Sequence, residues 1–71
     1  MNTGEIVRAA RESREITVKQ LSDMTGLSLQ TIYGIEEGKT SPKMDTMLLI
    51  MRALEYDIIF NPRYKGGYID E

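Results

Sequence analysis

The 71-residue chain has no cysteine, no histidine and no tryptophan, and it has only two prolines. Without cysteine there is no disulfide to staple so small a body. Without cysteine or histidine, a structural zinc site is not expected either. The usual nucleophile and the usual general base are missing too, and no carboxylate pair stands in an evident pocket-forming context. An enzyme is therefore not expected, nor is a cofactor. Long hydrophobic runs are also lacking: "MLLIM" at residues 47–51 is far too short to cross a bilayer. No signal peptide is recognisable, and a reducing, cytoplasmic setting without membrane contact is the expectation. A strong charge of one sign is the last absence. Net charge is −2, where a nucleic-acid-binding domain would ordinarily be basic. The acid is unevenly placed: residues 1–43 balance six basic against six acidic side chains, and the surplus acid lies after them.

What the chain does have is helix punctuation. A body of this length permits one domain with a thin core, so well-formed helices must carry it. Thr3 is the expected cap of a first helix with Ile6, Val7 and Ala10 on its apolar side. Thr17 and Gln20 have the spacing of a capping box for a second helix, with Ile16 and Leu21 placed as its hydrophobic staple. Gly26 is the left-handed residue that would end that helix. Ser28 caps a third helix, and Leu27 with Ile32 repeats the staple. Ser41 followed by Pro42 opens a fourth, along which Met44, Met47, Leu48, Met51 and Leu54 recur at helical period. The period then changes. "YDIIFNP", residues 56–62, is β-branched and aromatic and reads as a short strand, and the remainder as a loose tail.

Two helices of about eight residues joined by a Gly-containing turn form the helix-turn-helix arrangement, whose second helix fits the DNA major groove. Read together, "TVKQLSDMTGLSLQTIYGIEEGKTSP", residues 17–42, resembles the helix-turn-helix of phage-repressor-like (Cro/cI-type, XRE-family) DNA-binding domains. Leu21, Gly26, Ser28, Ile32, Ile35 and the "IEEGKT" exit carry the likeness, with "ARES" before them and "SPKMDTMLLIMRAL" after. The resemblance covers roughly residues 4–55. It implies an all-α fold: a four- to five-helix, lambda-repressor-like domain over residues 1–55. The helix-turn-helix would occupy 18–37 and the recognition helix 29–37, with a C-terminal strand and loose tail over 56–71.

The resemblance also implies roles. An arginine of helix one pairs with the glutamate ending helix three, here Arg11 and Glu36, a match of guanidinium fork to carboxylate. With Ile32 and Ile35 turned inward, Leu29, Gln30, Tyr33 and Gly34 are the base-contact positions, and Glu37 faces outward beside them. Gln30 is the foremost, because its amide can bond adenine N6 and N7 together. Lys19, Ser28, Thr31, Lys39, Thr40 and Lys43 are the backbone-contact positions. Val18 stands where the family often has a phosphate-gripping glutamine. Gly34 stands where a polar or basic residue is common, although glycine inside a helix costs about 1 kcal/mol relative to alanine.

Helix four is apolar almost all round, including Leu49, and a lone strand leaves its backbone unpaired. Both point to a homodimer in which Leu49, Tyr56, Ile58, Ile59 and Phe60 form the interface and the strands pair across it; the alternative is that residues 56–60 fold back on their own helix four. Some type II antitoxins of this family are similar in that respect. The leading expectation is a sequence-specific repressor that binds double-stranded DNA at an inverted-repeat operator. The other is an antitoxin or adaptor whose main work is to bind a toxin or other protein partner, with DNA binding for autoregulation.

Overall fold

The computed structural model describes residues 2–59 and 61–62. Among them are four α-helices and no strand: α1 (Thr3–Ser13), α2 (Val18–Thr25), α3 (Leu29–Glu36) and α4 (Met44–Ala53). None is long and apolar enough to cross a membrane.

Two of the four expected helix starts stand as the sequence marks them. Thr17 Oγ1 accepts from the Gln20 N–H at 3.0 Å and Gln20 Oε1 accepts from the Thr17 N–H at 2.9 Å, a complete capping box. Ser28 Oγ accepts from the Thr31 N–H at 3.1 Å. The other two starts shift. Asn2, not Thr3, caps α1, accepting from Glu5 N–H at 2.9 Å while Glu5 returns the bond at 3.2 Å. The fourth helix begins at Met44 rather than after Ser41, and its N-cap Lys43 makes no side-chain cap bond. Its register is set further along, where Ile50, Met51 and Leu54 seat in the core.

Helix ends are equally defined. Gly26 (φ 80°) and Gly38 (φ 77°) take the left-handed backbone that closes α2 and α3. α1 and α4 close the same way on Glu15 (φ 57°) and Glu55 (φ 65°), where no glycine announced it. In both, the next residue's N–H reaches back a full turn: Ile16 to Arg11 O at 3.2 Å, Tyr56 to Met51 O at 2.8 Å.

The helices surround a single core of Val7, Ala10, Val18, Leu21, Ile32, Ile35, Ile50, Met51 and Leu54, with Ile16 and Leu27 packed against it as the staples require. α1 and α2 each lie against both α3 and α4. Each fully buried aliphatic side chain contributes about 1.5–3 kcal/mol, and Leu21, Ile32, Ile50, Leu54 and Val7 are the largest. Val18, at the position where a phosphate contact is common in the family, is one of these core residues.

Residues 56–59 belong to no helix or strand. Tyr56 and Ile58 are half-buried on the chain's own core while Asp57 and Ile59 face out. The two-residue alternation that suggested a strand is therefore present in the burial pattern, without a strand. Phe60 and residues 63–71 lie outside the described residues.

Candidate nucleic-acid interface

α3 presents one side to the core and the other to solvent. Ile32, Ile35 and Glu36 are buried, whereas Leu29, Gln30, Thr31 and Tyr33 are exposed, with Glu37 exposed at the C-cap. Burial at 32, 35 and 36, three and four residues apart, follows from the 3.6-residue period. Gln30 lies opposite the buried side, and Leu29 and Tyr33, four residues apart, share one flank beside it.

Gly34 differs from its neighbours on that face. It is half-buried, and a Cβ placed there would meet Thr40 Oγ1 at 3.4 Å, an ordinary contact distance. Its carbonyl accepts from the N–H groups of Lys39 at 2.9 Å and Thr40 at 3.3 Å. The 38–41 turn thus folds back over position 34, which gives the glycine a neighbour inside the molecule.

The turn between α2 and α3 is tied by side chains as well as by Gly26. Ser22 Oγ donates to the Leu27 carbonyl at 2.6 Å; Thr25 Oγ1 donates to Leu21 O at 2.8 Å and accepts from the Leu27 N–H at 3.1 Å. Both hydroxyls replace backbone partners lost where α2 stops. Neither residue carries a sequence signal that separates this role from an ordinary polar position.

The far end of α3 is held from α1. Arg11 Nε donates to Glu36 Oε2 at 2.7 Å and Nη2 to Oε1 at 3.0 Å, while Nη1 reaches the Ile16 carbonyl at 2.9 Å. The Glu36 side chain is 1% exposed and that of Arg11 12%, so this pair is a buried one. The hydrogen bond to Glu36 raises the Arg11 pKa above its already high ordinary value, and the Glu36 charge adds to it against the opposing effect of burial. Arg8 joins the same carboxylate, Nε to Oε1 at 3.3 Å, from a side chain still 48% exposed. Sequence gave no reason to separate Arg8 from a solvated charge.

Gly4 was also unmarked. A Cβ at position 4 would stand 2.8 Å from the Glu36 carbonyl oxygen and closer still to that of Ile35. Only glycine lets the first turn of α1 rest on the last turn of α3. Two contacts thus fix the exit of α3: a fork of hydrogen bonds and a close backbone approach.

The six backbone-contact positions are all exposed. Lys19 Nζ pairs with Asp23 at 3.1 and 3.2 Å and Lys39 Nζ with Glu37 at 3.1 Å. Ser28 and Thr31 share a hydroxyl–hydroxyl bond of 2.9 Å at the start of α3. Thr40 packs over Gly34, and Lys43 caps α4.

The dimer positions divide. Leu49 is 42% exposed and Ile59 74%. Tyr56 instead belongs to its own chain: its hydroxyl bonds Ser13 Oγ at 2.7 Å and its ring lies under the Arg14 guanidinium, 4.7 Å from the centroid. Arg14 also donates to the carbonyls of Leu54 at 2.9 Å and Glu55 at 3.1 Å, closing the end of α4.

A capped helix pair with a left-handed glycine turn, whose second helix bares a mixed polar and apolar face, defines the helix-turn-helix class. The helix-turn-helix family model matches residues 7–60, and the chain belongs to that family as a Cro/cI-type (XRE-family) DNA-binding domain. It is 42% identical over 71 residues to the HTH-type transcriptional repressor RghR of Bacillus subtilis (strain 168), a match covering 96% of this chain and 50% of that protein. It is 33% identical over 57 residues to the uncharacterized HTH-type transcriptional regulator y4dL of Sinorhizobium fredii (strain NBRC 101917 / NGR234), covering 80% of this chain and 29% of that protein. The chain thus spans about half the length of the first relative and less than a third of the second. No solved structure matches it at a significant level.

Proposed function

We propose that the chain acts in a transcriptional repressor, placing α3 in the major groove of an inverted-repeat operator as a homodimer. The observation that carries this reading is the exposed face of α3, held rigid at one end by the Ser28 cap and at the other by the buried Arg11–Glu36 fork. Gln30 is the principal base reader, bonding adenine, and Leu29 packs on a thymine methyl. Tyr33 reaches a base edge or a phosphate. Gly34, under Thr40, contributes backbone shape rather than readout. Lys19, Ser28, Thr31, Lys39, Thr40 and Lys43 set the register on the phosphates. The repressor named among the relatives supports the sign of regulation.

Leu49 and Ile59, exposed on α4 and the segment after it, supply the apolar surface for the second copy. Two copies related by a two-fold axis would place their α3 helices about 34 Å apart, in successive major grooves. The same apolar surface is what favours the second reading, a regulator whose main work is to bind a partner protein such as a toxin.

Selection of bound sequences from a random duplex pool tests the proposal. An inverted repeat with A·T pairs under the Gln30 positions, recovered at near-physiological salt, supports it. No enrichment would overturn it in favour of the protein-binding reading.

A further inference from the structure

One charged residue on the α3 face serves neither the core nor base readout. Glu37 is the C-cap of α3, exposed, and seven residues beyond Gln30, which puts the two on the same side. A carboxylate there opposes the partial negative charge of the helix end, so helix stability does not account for it. Its neighbour Glu36 is no precedent, being buried and held by Arg11. The partner of Glu37 is Lys39, Nζ to Oε1 at 3.1 Å, with the lysine side chain 75% and the glutamate side chain 45% exposed. Exposed pairs of this kind contribute little to folding.

Lys39 is otherwise well placed for a phosphate. Its own N–H is anchored on the Gly34 carbonyl at 2.9 Å, so the turn fixes its Cα beside the exit of α3 while the side chain can choose its anion. In the free protein that anion is Glu37.

We propose that Glu37 is the affinity-limiting residue of the DNA interface: it occupies Lys39 as an internal substitute for phosphate and so keeps non-specific binding to duplex DNA weak. The proposal rests on the DNA-binding reading. Non-specific affinity comes almost wholly from neutralised phosphates and released counterions, each contact adding about 0.9 to the salt slope. When Lys39 turns to a phosphate, it gives up a carboxylate for another anion and leaves Glu37 facing the polyanion. The gain is largely cancelled. Base contacts, which Glu37 does not touch, must then supply the affinity.

The test measures binding of the whole chain to a non-specific duplex and to the selected operator across a range of salt. Parent, Glu37→Gln, Lys39→Met and the double variant are compared, with Tm measured to confirm that each folds. Glu37→Gln is expected to bind both duplexes roughly twofold to fivefold tighter at about 0.1 M salt, with a steeper salt slope. In the Lys39→Met background the same change should bring a clearly smaller gain, only that of removing the carboxylate's repulsion. Parent-like affinity and slope in Glu37→Gln would overturn the proposal while leaving DNA binding intact. So would a gain undiminished without Lys39, since the carboxylate would then act through its general field. Failure of every protein, parent included, to bind any duplex at low salt would overturn the DNA-binding reading, and this proposal with it.

Discussion

Replacing Arg11 with alanine removes three hydrogen bonds at once, two to Glu36 and one to the Ile16 carbonyl. The larger consequence lies in what remains. Glu36, whose side chain is 1% exposed in the parent, keeps Arg8 at 3.3 Å as its one cation among the described residues. Stranding a buried charge costs about 3–5 kcal/mol, and the residual Arg8 contact puts the expected loss near the lower figure, about 3 kcal/mol. A domain of this size has roughly 4–10 kcal/mol in total, so the variant should lose between a third and most of its stability. In thermal unfolding that is a fall in Tm of about 12–24 °C. Arg8→Ala, which leaves the fork intact and removes a half-exposed partner, should cost about 0.5–1 kcal/mol. Because its partner raises the Arg11 pKa, Arg11's contribution is fully present below its unfolded-state value and is lost only as pH climbs past the folded one. The difference between the two variants should therefore not change between about pH 6 and 9. Equal losses in the two variants, or an Arg11→Ala protein as stable as the parent, would refute the assignment of a buried fork.

The two glycines on α1 and α3 should behave oppositely. Gly4→Ala forces a methyl against the Ile35 and Glu36 carbonyls and should lower stability by about 1–3 kcal/mol, read as a shifted denaturant midpoint at unchanged slope. Gly34→Ala meets only Thr40 Oγ1 at 3.4 Å and should raise stability by up to about 1 kcal/mol through helix propensity. Its DNA affinity should stay within about twofold of the parent if position 34 reads nothing; a large loss would mean that the α3 backbone approaches the groove there.

The parts of the molecule legible in the sequence are those set by local chemistry. Thr17 with Gln20, Ser28 and Gly26 each act within one helical turn, so the residue type and its spacing suffice. The burial of Leu21, Ile32, Ile35 and Leu54 follows from helical period alone. The Arg11–Glu36 fork spans 25 residues and was legible only through the family likeness. What was not legible needed the packed structure. Asn2 and Thr3 are both good caps, and only the bond to Glu5 N–H decides between them. Gly4 looks like any helix-weakening glycine until α3 arrives against it. The segment after α4 has strand-like alternation, yet that pattern fits equally an extended chain lying on its own core. Tyr56 settles which applies at its position: its N–H is taken by Met51 O, its hydroxyl by Ser13 and its ring by Arg14. A residue so engaged has its N–H already taken within the chain, whereas Ile59, three residues on, is exposed.

These long-range contacts share an origin in α1. Arg11 and Arg14 are three residues apart, so they leave the helix on adjoining parts of its surface. One grips the end of α3 and the other the end of α4, at 2.7 and 2.9 Å for their shortest bonds. Each supplies donors where a helix has run out of them, to a carboxylate in one case and to two carbonyls in the other. The two ends therefore cannot shift relative to α1 without breaking charge-assisted bonds, and α1 cannot slide along α3 without driving its first turn into the Ile35 and Glu36 carbonyls. The nine buried apolar side chains among the described residues make a thin core, which would leave such a bundle free to adjust. The arginine pair and Gly4 remove that freedom at the place where it would matter most, the angle at which α3 leaves the domain surface.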